Sequence, residues 1–246
     1  MNRNTNEGGA AMRRRIALAM ACLMTVIPST TNCISEEAEI PGTLLRFAEK
    51  YAEVRDFVRD YPEKHDLKFE INLSDEIGDG YPLLVQWDER WGYMEYGESL
   101  LGLSGCGPTA LSIVVCGLKH TDRWDPATVA RYAMEHGDYV KNVGTSWTLM
   151  ERGARDMGLT VETGEVSADY ILDNLSEYSP MICSVTAGDF TYSGHFIVLT
   201  GIDSDGKILI RDPNSLIKSR KSWDVDRLVK QIRTIWVYRN DYDAQS

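Results

Sequence analysis

The chain has 246 residues, room for one large domain or two small ones, and 43% of them are hydrophobic, ample for a packed core. Lysine and arginine number 26 against 37 aspartates and glutamates; beyond the four basic and one acidic residues that precede Asn32 the balance is 22 to 36, about −14. This argues against nucleic acid and anionic membrane surfaces as main partners, because both need a basic patch to release counterions.

Residues 1–31 read as a targeting segment. Arg13, Arg14 and Arg15 precede an apolar stretch from Ile16 to Ile27, and the small residues Ser29, Thr30 and Thr31 follow. A stretch of twelve residues is too short to span a bilayer comfortably. The expectation is a secreted or extracytoplasmic protein, either cleaved after Thr31 or held at the membrane only through an uncleaved N-terminal segment. Residues 32–80 form an N-terminal helix and linker. Leu44, Leu45, Ala48, Tyr51, Ala52, Val54, Phe57 and Val58 recur at helical spacing and predict one amphipathic helix over Thr43–Tyr61, with Thr43 as N-cap and Pro62 as stop. The stretch from Asp66 to Gly80 is polar and turn-rich, with one short strand candidate at Phe69–Leu73.

Residues 81–246 form the main domain. A short strand at Leu83–Gln86 leads into an aromatic loop around Trp87, Trp91, Tyr93 and Tyr96, then a buried helix from Cys106 to Leu118. Helices follow over Pro126–Met134, Ser146–Met157 (capped by Thr145 or Ser146) and Ser167–Leu175 (capped by Ser167). The period then changes: Met181–Val185, His195–Ile202, Lys207–Arg211 and Thr234–Tyr238 read as strands bounded by Gly, Asp and Pro. Helices first and an antiparallel sheet after is an α+β arrangement.

Five cysteines without a CxxC pair give no disulfide framework. Cys22 falls in the targeting segment, and Cys116 sits in the apolar run and reads as core. Cys106 differs, because Gly105-Cys106-Gly107-Pro108-Thr109 places it in the first turn of a helix, where unpaired N–H groups and the dipole stabilise a thiolate. Gly105 and Gly107 permit close approach there, and Pro108 loses no helical hydrogen bond. The alternative for Cys106 is a half-buried structural thiol at a helix cap.

A thiol nucleophile needs a base, and the base needs an orienting group. Of the four histidines, His65 lies in the linker region, and His120 and His136 follow helix ends. His195 stands between Gly194 and a core strand, with its ring at a sheet end. The turn Asp203-Ser204-Asp205-Gly206 folds the next strand back and brings Asp212 or Asn214 to the same end; a bulge swaps their faces, so register alone leaves both open. Asp212 is chosen because a carboxylate stabilises an imidazolium. The amide of Gln86 is a candidate oxyanion donor. The Asp203–Gly206 stretch also opens like a calcium loop, but Asn214 stands where a bidentate glutamate belongs. With no HExxH and no paired His/Cys ligand spacing, neither a metal nor another cofactor is expected.

Taken together, Gln86-Trp87-Asp88-Glu89-Arg90-Trp91, the tract Tyr96-Gly97 through Thr109, Gly144-Thr145-Ser146-Trp147, Gly194-His195-Phe196 and Asp212-Pro213 make the chain resemble the C39-like branch of the papain-like cysteine peptidases. The resemblance runs from about Tyr81 to Tyr238. It implies a helical lobe and a sheet lobe with the site in the cleft between. It also implies Cys106 as nucleophile, His195 as general base and then acid, Asp212 as orienting group, and Gln86 with the Cys106 N–H as oxyanion hole. A peptide or protein substrate follows. Double-glycine leader trimming does not, since the sequence lacks a transporter domain. The same triad also serves acyltransferases and amidases, and a non-catalytic peptide-binding module is the alternative from another class. The helix over Thr43–Tyr61 lies outside the matched region and is expected to support the domain, cover the cleft or dock a partner.

Overall fold

A computed structural model describes residues 39–78 and 80–240; the targeting segment, Cys22 and Cys33 lie outside them. The amphipathic segment expected as one helix is broken into α1 (Gly42–Lys50), a 3-10 turn (Ala52–Val54), α2 (Arg55–Arg59) and α3 (Tyr61–Lys64). The break falls at Tyr51, whose backbone is extended (φ −128°, ψ 107°). Pro41, not Thr43, holds the N-cap position. Pro62 does not stop a helix but stands in the first turn of α3, where its missing N–H has no partner to lose. The apolar spacing was nevertheless real: Leu44, Phe47, Val54, Phe57 and Val58 are buried together with Tyr93, and the Phe57 and Tyr93 rings stack at 4.3 Å.

The strands expected at Phe69–Leu73 and Leu83–Gln86 do not form. Leu73 and Leu84 are buried against the helical core rather than beside a ladder partner, so their apolar character reflects burial without pairing. The aromatic loop ends in a hairpin of β1 (Glu95–Tyr96) and β2 (Ser99–Leu100). From it α4 (Leu101–Ser104) runs into α5 (Cys106–Lys119), which is buried from Gly107 to Leu118. Next comes α6 (Pro126–Glu135), capped by the Asp125 carboxylate accepting from the Thr128 N–H at 2.9 Å. A hairpin of β3 (Tyr139–Val140) and β4 (Gly144–Thr145) follows. The helix expected over Ser146–Met157 is a π-helical turn, Leu149–Gly153, leading into the short α7 (Ala154–Asp156).

The remaining elements are β5 (Leu159–Gly164), α8 (Ala168–Asn174), β6 (Met181–Val185), β7 (His195–Ile202), β8 (Ile208–Arg211), α9 (Leu216–Ser219), β9 (Ser222–Trp223), α10 (Val225–Val229) and β10 (Ile232–Asn240). Ser167 caps α8 as expected. The strands form a six-stranded sheet in the order β5-β10-β6-β7-β8-β9, antiparallel at every junction.

Side-chain alternation divides this sheet between two cores. Ile182, Phe196, Val198, Trp236 and Tyr238 join the cluster that contains α5 and α6. Met181, Cys183, Ile197, Leu199, Ile235 and Val237 join the opposite cluster with Ile171 of α8 and Leu228 of α10. Each such side chain contributes roughly 1.5–3 kcal/mol when fully removed from water. Coverage on both faces explains why β6 is buried along its whole length and β7 over its first six residues, and it makes α5 and the start of β7 fixed platforms. The α+β arrangement is the one expected.

Candidate active site

Cys106 is the first residue of the fourteen-residue α5, half-buried and unbridged. Two close approaches hold it there. A Cβ on Gly105 would lie 2.4 Å from the Leu101 carbonyl, and one on Gly107 would lie 2.6 Å from Cβ of Thr145, so only glycine lets α5 start against α4 and β4. Thr145 is fixed in turn by the Tyr96 hydroxyl at 2.8 Å. Pro108 is the third residue of α5, still inside the first turn. The other described thiols are inert by environment: burial pushes Cys116 up to about 12, and burial raises Cys183 too.

His195 begins β7, opposite Val185 of β6. Its Nε2 lies 2.6 Å from Oδ1 of Asp212, which is fully buried. The choice between Asp212 and Asn214 is made by a turn. β8 ends at Arg211, which pairs with Val198, and continued pairing would bring Asn214 opposite His195. Instead the chain turns, with the Ser215 N–H donating to the Asp212 carbonyl at 3.0 Å and the Asn214 N–H donating to Asp212 Oδ1 at 2.8 Å. That side-chain turn aims the carboxylate at the ring. Asp203–Gly206 is the hairpin turn expected: Asp203 Oδ1 accepts from the Asp205 and Lys207 N–H groups at 2.9 Å.

Burial pulls the His195 pKa down, but the charge and hydrogen bond of Asp212, joined by Cys106, outweigh it and hold the ring at about 10 against an ordinary 6.5. The carboxylate beside it thus favours the protonated ring. Asp212 Oδ2, without a hydrogen-bond partner, has Lys218 Nζ at 3.8 Å.

Gln86 is buried, its N–H bonded to the Pro213 carbonyl at 2.7 Å and its Nε2 donating to the Gly102 carbonyl at 2.8 Å. A carbonyl partner fixes which end of the amide is nitrogen, and Nε2 keeps a second proton. The Trp87 indole donates to the Asn214 carbonyl at 3.2 Å, so the Gln86-Trp87 segment is tied to the turn that carries Asp212.

One cavity of about 530 Å³ is lined by Gln86, Cys106, His195 and Asn214, with Asp212 behind the ring rather than on the lining. The structure thus gathers all four sequence-predicted residues at one cleft. Its other wall comes from the N-terminal segment, for which covering the cleft was one of three expectations and no individual residue was singled out. Arg46, Phe47 and Lys50 of α1 line it, as do Tyr51 and Thr191, and the Tyr51 ring meets the Tyr192 ring at 6.0 Å. The Glu53 carboxylate accepts from the Ser215 hydroxyl and from the Ile217 N–H at 3.0 Å, closing the turn after Asp212. The apolar spacing signalled that this segment packs, but nothing in it signalled against what. The remaining histidines serve helix ends: Nδ1 of His65 and of His136 bond the carbonyls four residues back, and His120 adopts a left-handed C-cap (φ 47°).

A model of the Peptidase_C39 like family matches residues 79–244. The chain belongs to that family. As a Peptidase_C39 like protein it has the papain-like fold of a cysteine peptidase, and α1 to α3 lie ahead of the matched residues. No curated protein matches the chain. Among solved structures, a double glycine motif protease from an AMS/PCAT transporter, in complex with its leader peptide, is similar at 18% identity and a TM-score of 0.43, covering 66% of this chain and 93% of that one. The peptidase domain of Streptococcus ComA, a bifunctional ABC transporter of a quorum-sensing pathway, is similar at 19% identity and a TM-score of 0.40, covering 56% and 92%.

Proposed function

We propose that this chain is an exported thiol peptidase that cleaves a peptide or protein substrate through a thioester on Cys106. The observation that carries the reading is the shared cleft in a Peptidase_C39 like chain: Cys106 at the start of α5, and the buried His195 ring held by Asp212 at 2.6 Å. The Cys106 thiolate adds to the scissile carbonyl carbon, and the resulting oxyanion takes hydrogen bonds from the Cys106 N–H and the free proton of Gln86 Nε2. Collapse breaks the C–N bond, and His195 gives its proton to the departing amine. His195, now neutral, takes a proton from water as that water attacks the thioester. The acid product leaves and the thiolate–imidazolium pair returns. Asp212 keeps Nε2 occupied so that the opposite ring nitrogen serves the sulfur. No cofactor enters the cycle. Export rests on the basic residues and apolar stretch before Asn32.

The test is a peptide-library profile of the full chain beside C106A. New termini produced by the wild type and absent with C106A support hydrolysis. Amide products that appear only with an added amine would make the chain an acyltransferase, and equal peptide binding with no covalent turnover would make it a binding module.

A further inference from the structure

The cleft wall supplied by α1 carries two cations. Arg46 and Lys50 lie one helical turn apart, both exposed and both lining the cavity that contains Cys106 and His195. Like charges four residues apart on a helix oppose each other, so their pairing on one face is unfavourable unless an anion joins them. The chain has 37 acidic residues from which to supply one, yet neither cation has an ion-pair partner among the described residues. Glu49 of α1 is exposed and off the cleft lining, and the carboxylates at the cleft are committed elsewhere. Glu98, also on the lining, pairs with Lys141 at 2.7 Å, and Glu53 holds Ser215 and Ile217. This leaves two unpaired cations on one wall of a cleft of an otherwise acidic molecule. The wall is held in place: Phe47 is buried, and the Tyr51 ring meets the Tyr192 ring edge-on at 6.0 Å, beside the His195 loop.

We propose that Arg46 and Lys50 form a carboxylate subsite of the cleft, so that the preferred peptide carries a negative charge near the scissile bond. The proposal rests on the peptidase reading and names its substrate class. The carboxylate comes from an aspartate or glutamate side chain or from the free C-terminus of the peptide. Either ion gains two guanidinium or ammonium partners in a cleft less hydrated than open surface. α1 lies ahead of the residues matched by the family model, so the preference belongs to this chain's own N-terminal segment.

The test compares kcat/KM for matched peptides that differ by Glu against Gln, and by C-terminal acid against amide, in the wild type, R46Q/K50Q and R46E/K50E. The wild type is expected to favour one acidic member roughly tenfold, with the ratio falling in the glutamine variant, inverting in the glutamate variant and shrinking with salt. Which pair discriminates identifies the source of the carboxylate. A ratio unchanged by both variants overturns the subsite. A second readout needs no peptide turnover: the rate of Cys106 alkylation by iodoacetate relative to iodoacetamide, expected to fall in R46Q/K50Q. If no peptide is cleaved while this ratio still falls, the peptidase reading fails and the subsite stands; if it does not fall, the subsite is overturned as well.

Discussion

The His195 ring nitrogen Nε2 and the Asp212 carboxylate stand 2.6 Å apart with both side chains buried, which favours the protonated imidazole and raises its pKa. A raised pKa means that the charged ring stabilises the fold fully below its ordinary 6.5, and that this contribution is lost as pH rises through about 10. Peptidase activity is expected to hold until pH approaches about 10 and then to fall as the acid for the leaving amine is lost. In D212N burial acts on the ring without the opposing carboxylate, so the alkaline limb is expected to move down to the ordinary 6.5 or below. A pH profile of kcat/KM, with an NMR titration of the ring, checks this. An alkaline limb that stays put in D212N would remove the carboxylate from its role.

C106A is expected to bind peptide and to cleave none. Q86A is expected to keep KM and lose roughly 10²- to 10³-fold in kcat, the usual cost of one oxyanion donor. The amide is already pinned by the Gly102 carbonyl, and the Gln86 N–H by Pro213, so truncation removes a positioned donor and not a wandering one. Steady-state kinetics of both variants, with thermal melts to verify folding, decide it. A Q86A enzyme with wild-type kcat would take Gln86 out of the oxyanion hole.

Thiol chemistry gives a test that needs no substrate. Cys116 is raised to about 12 and Cys183 is raised by complete burial, whereas Cys106 is partly accessible beside the His195 ring. Iodoacetamide under native conditions at neutral pH is expected to modify Cys106 well before either buried thiol, as read by peptide mass mapping. In H195A the Cys106 rate is expected to drop, because the neighbouring ring that can take the thiol proton is gone.

Much of the candidate site could be read in the sequence because its parts sit at element boundaries that announce themselves. Gly105 and Gly107 mark the start of α5, Gly194 the start of β7, and Asp203–Gly206 the turn that returns β8 to His195. The choice between Asp212 and Asn214 was not readable from register, because it depends on an N–H of Asn214 bonding back to the Asp212 carboxylate. Strand Leu159–Gly164 escaped notice because it is an edge strand whose residues are mostly exposed or half-buried, leaving weak apolar contrast. The single helix expected over Thr43–Tyr61 failed for a related reason. Periodicity reports which residues are buried, and these stay buried across the break at Tyr51. That break gives Tyr51 its place beside Thr191 and turns Glu53 toward Ser215, long-range contacts that local spacing does not encode.

The link from Glu53 to the turn after Asp212 makes the N-terminal segment a support for the site. Its carboxylate takes the Ser215 hydroxyl and the Ile217 N–H, at the very turn where the Ser219 hydroxyl accepts from the Asp212 N–H at 2.7 Å. E53A leaves the buried Ser215 hydroxyl without its carboxylate, which is expected to lower stability by about 1–3 kcal/mol. The loosened turn is also expected to broaden the His195–Asp212 geometry, lowering kcat more than it raises KM. E53Q, which still accepts one hydrogen bond, is expected to recover part of both. Thermal melts and steady-state kinetics of the two variants provide the comparison. A melting point lowered in E53A with kcat unchanged would confine Glu53 to holding α9, and an unaltered melting point would show that the contact contributes nothing to the fold.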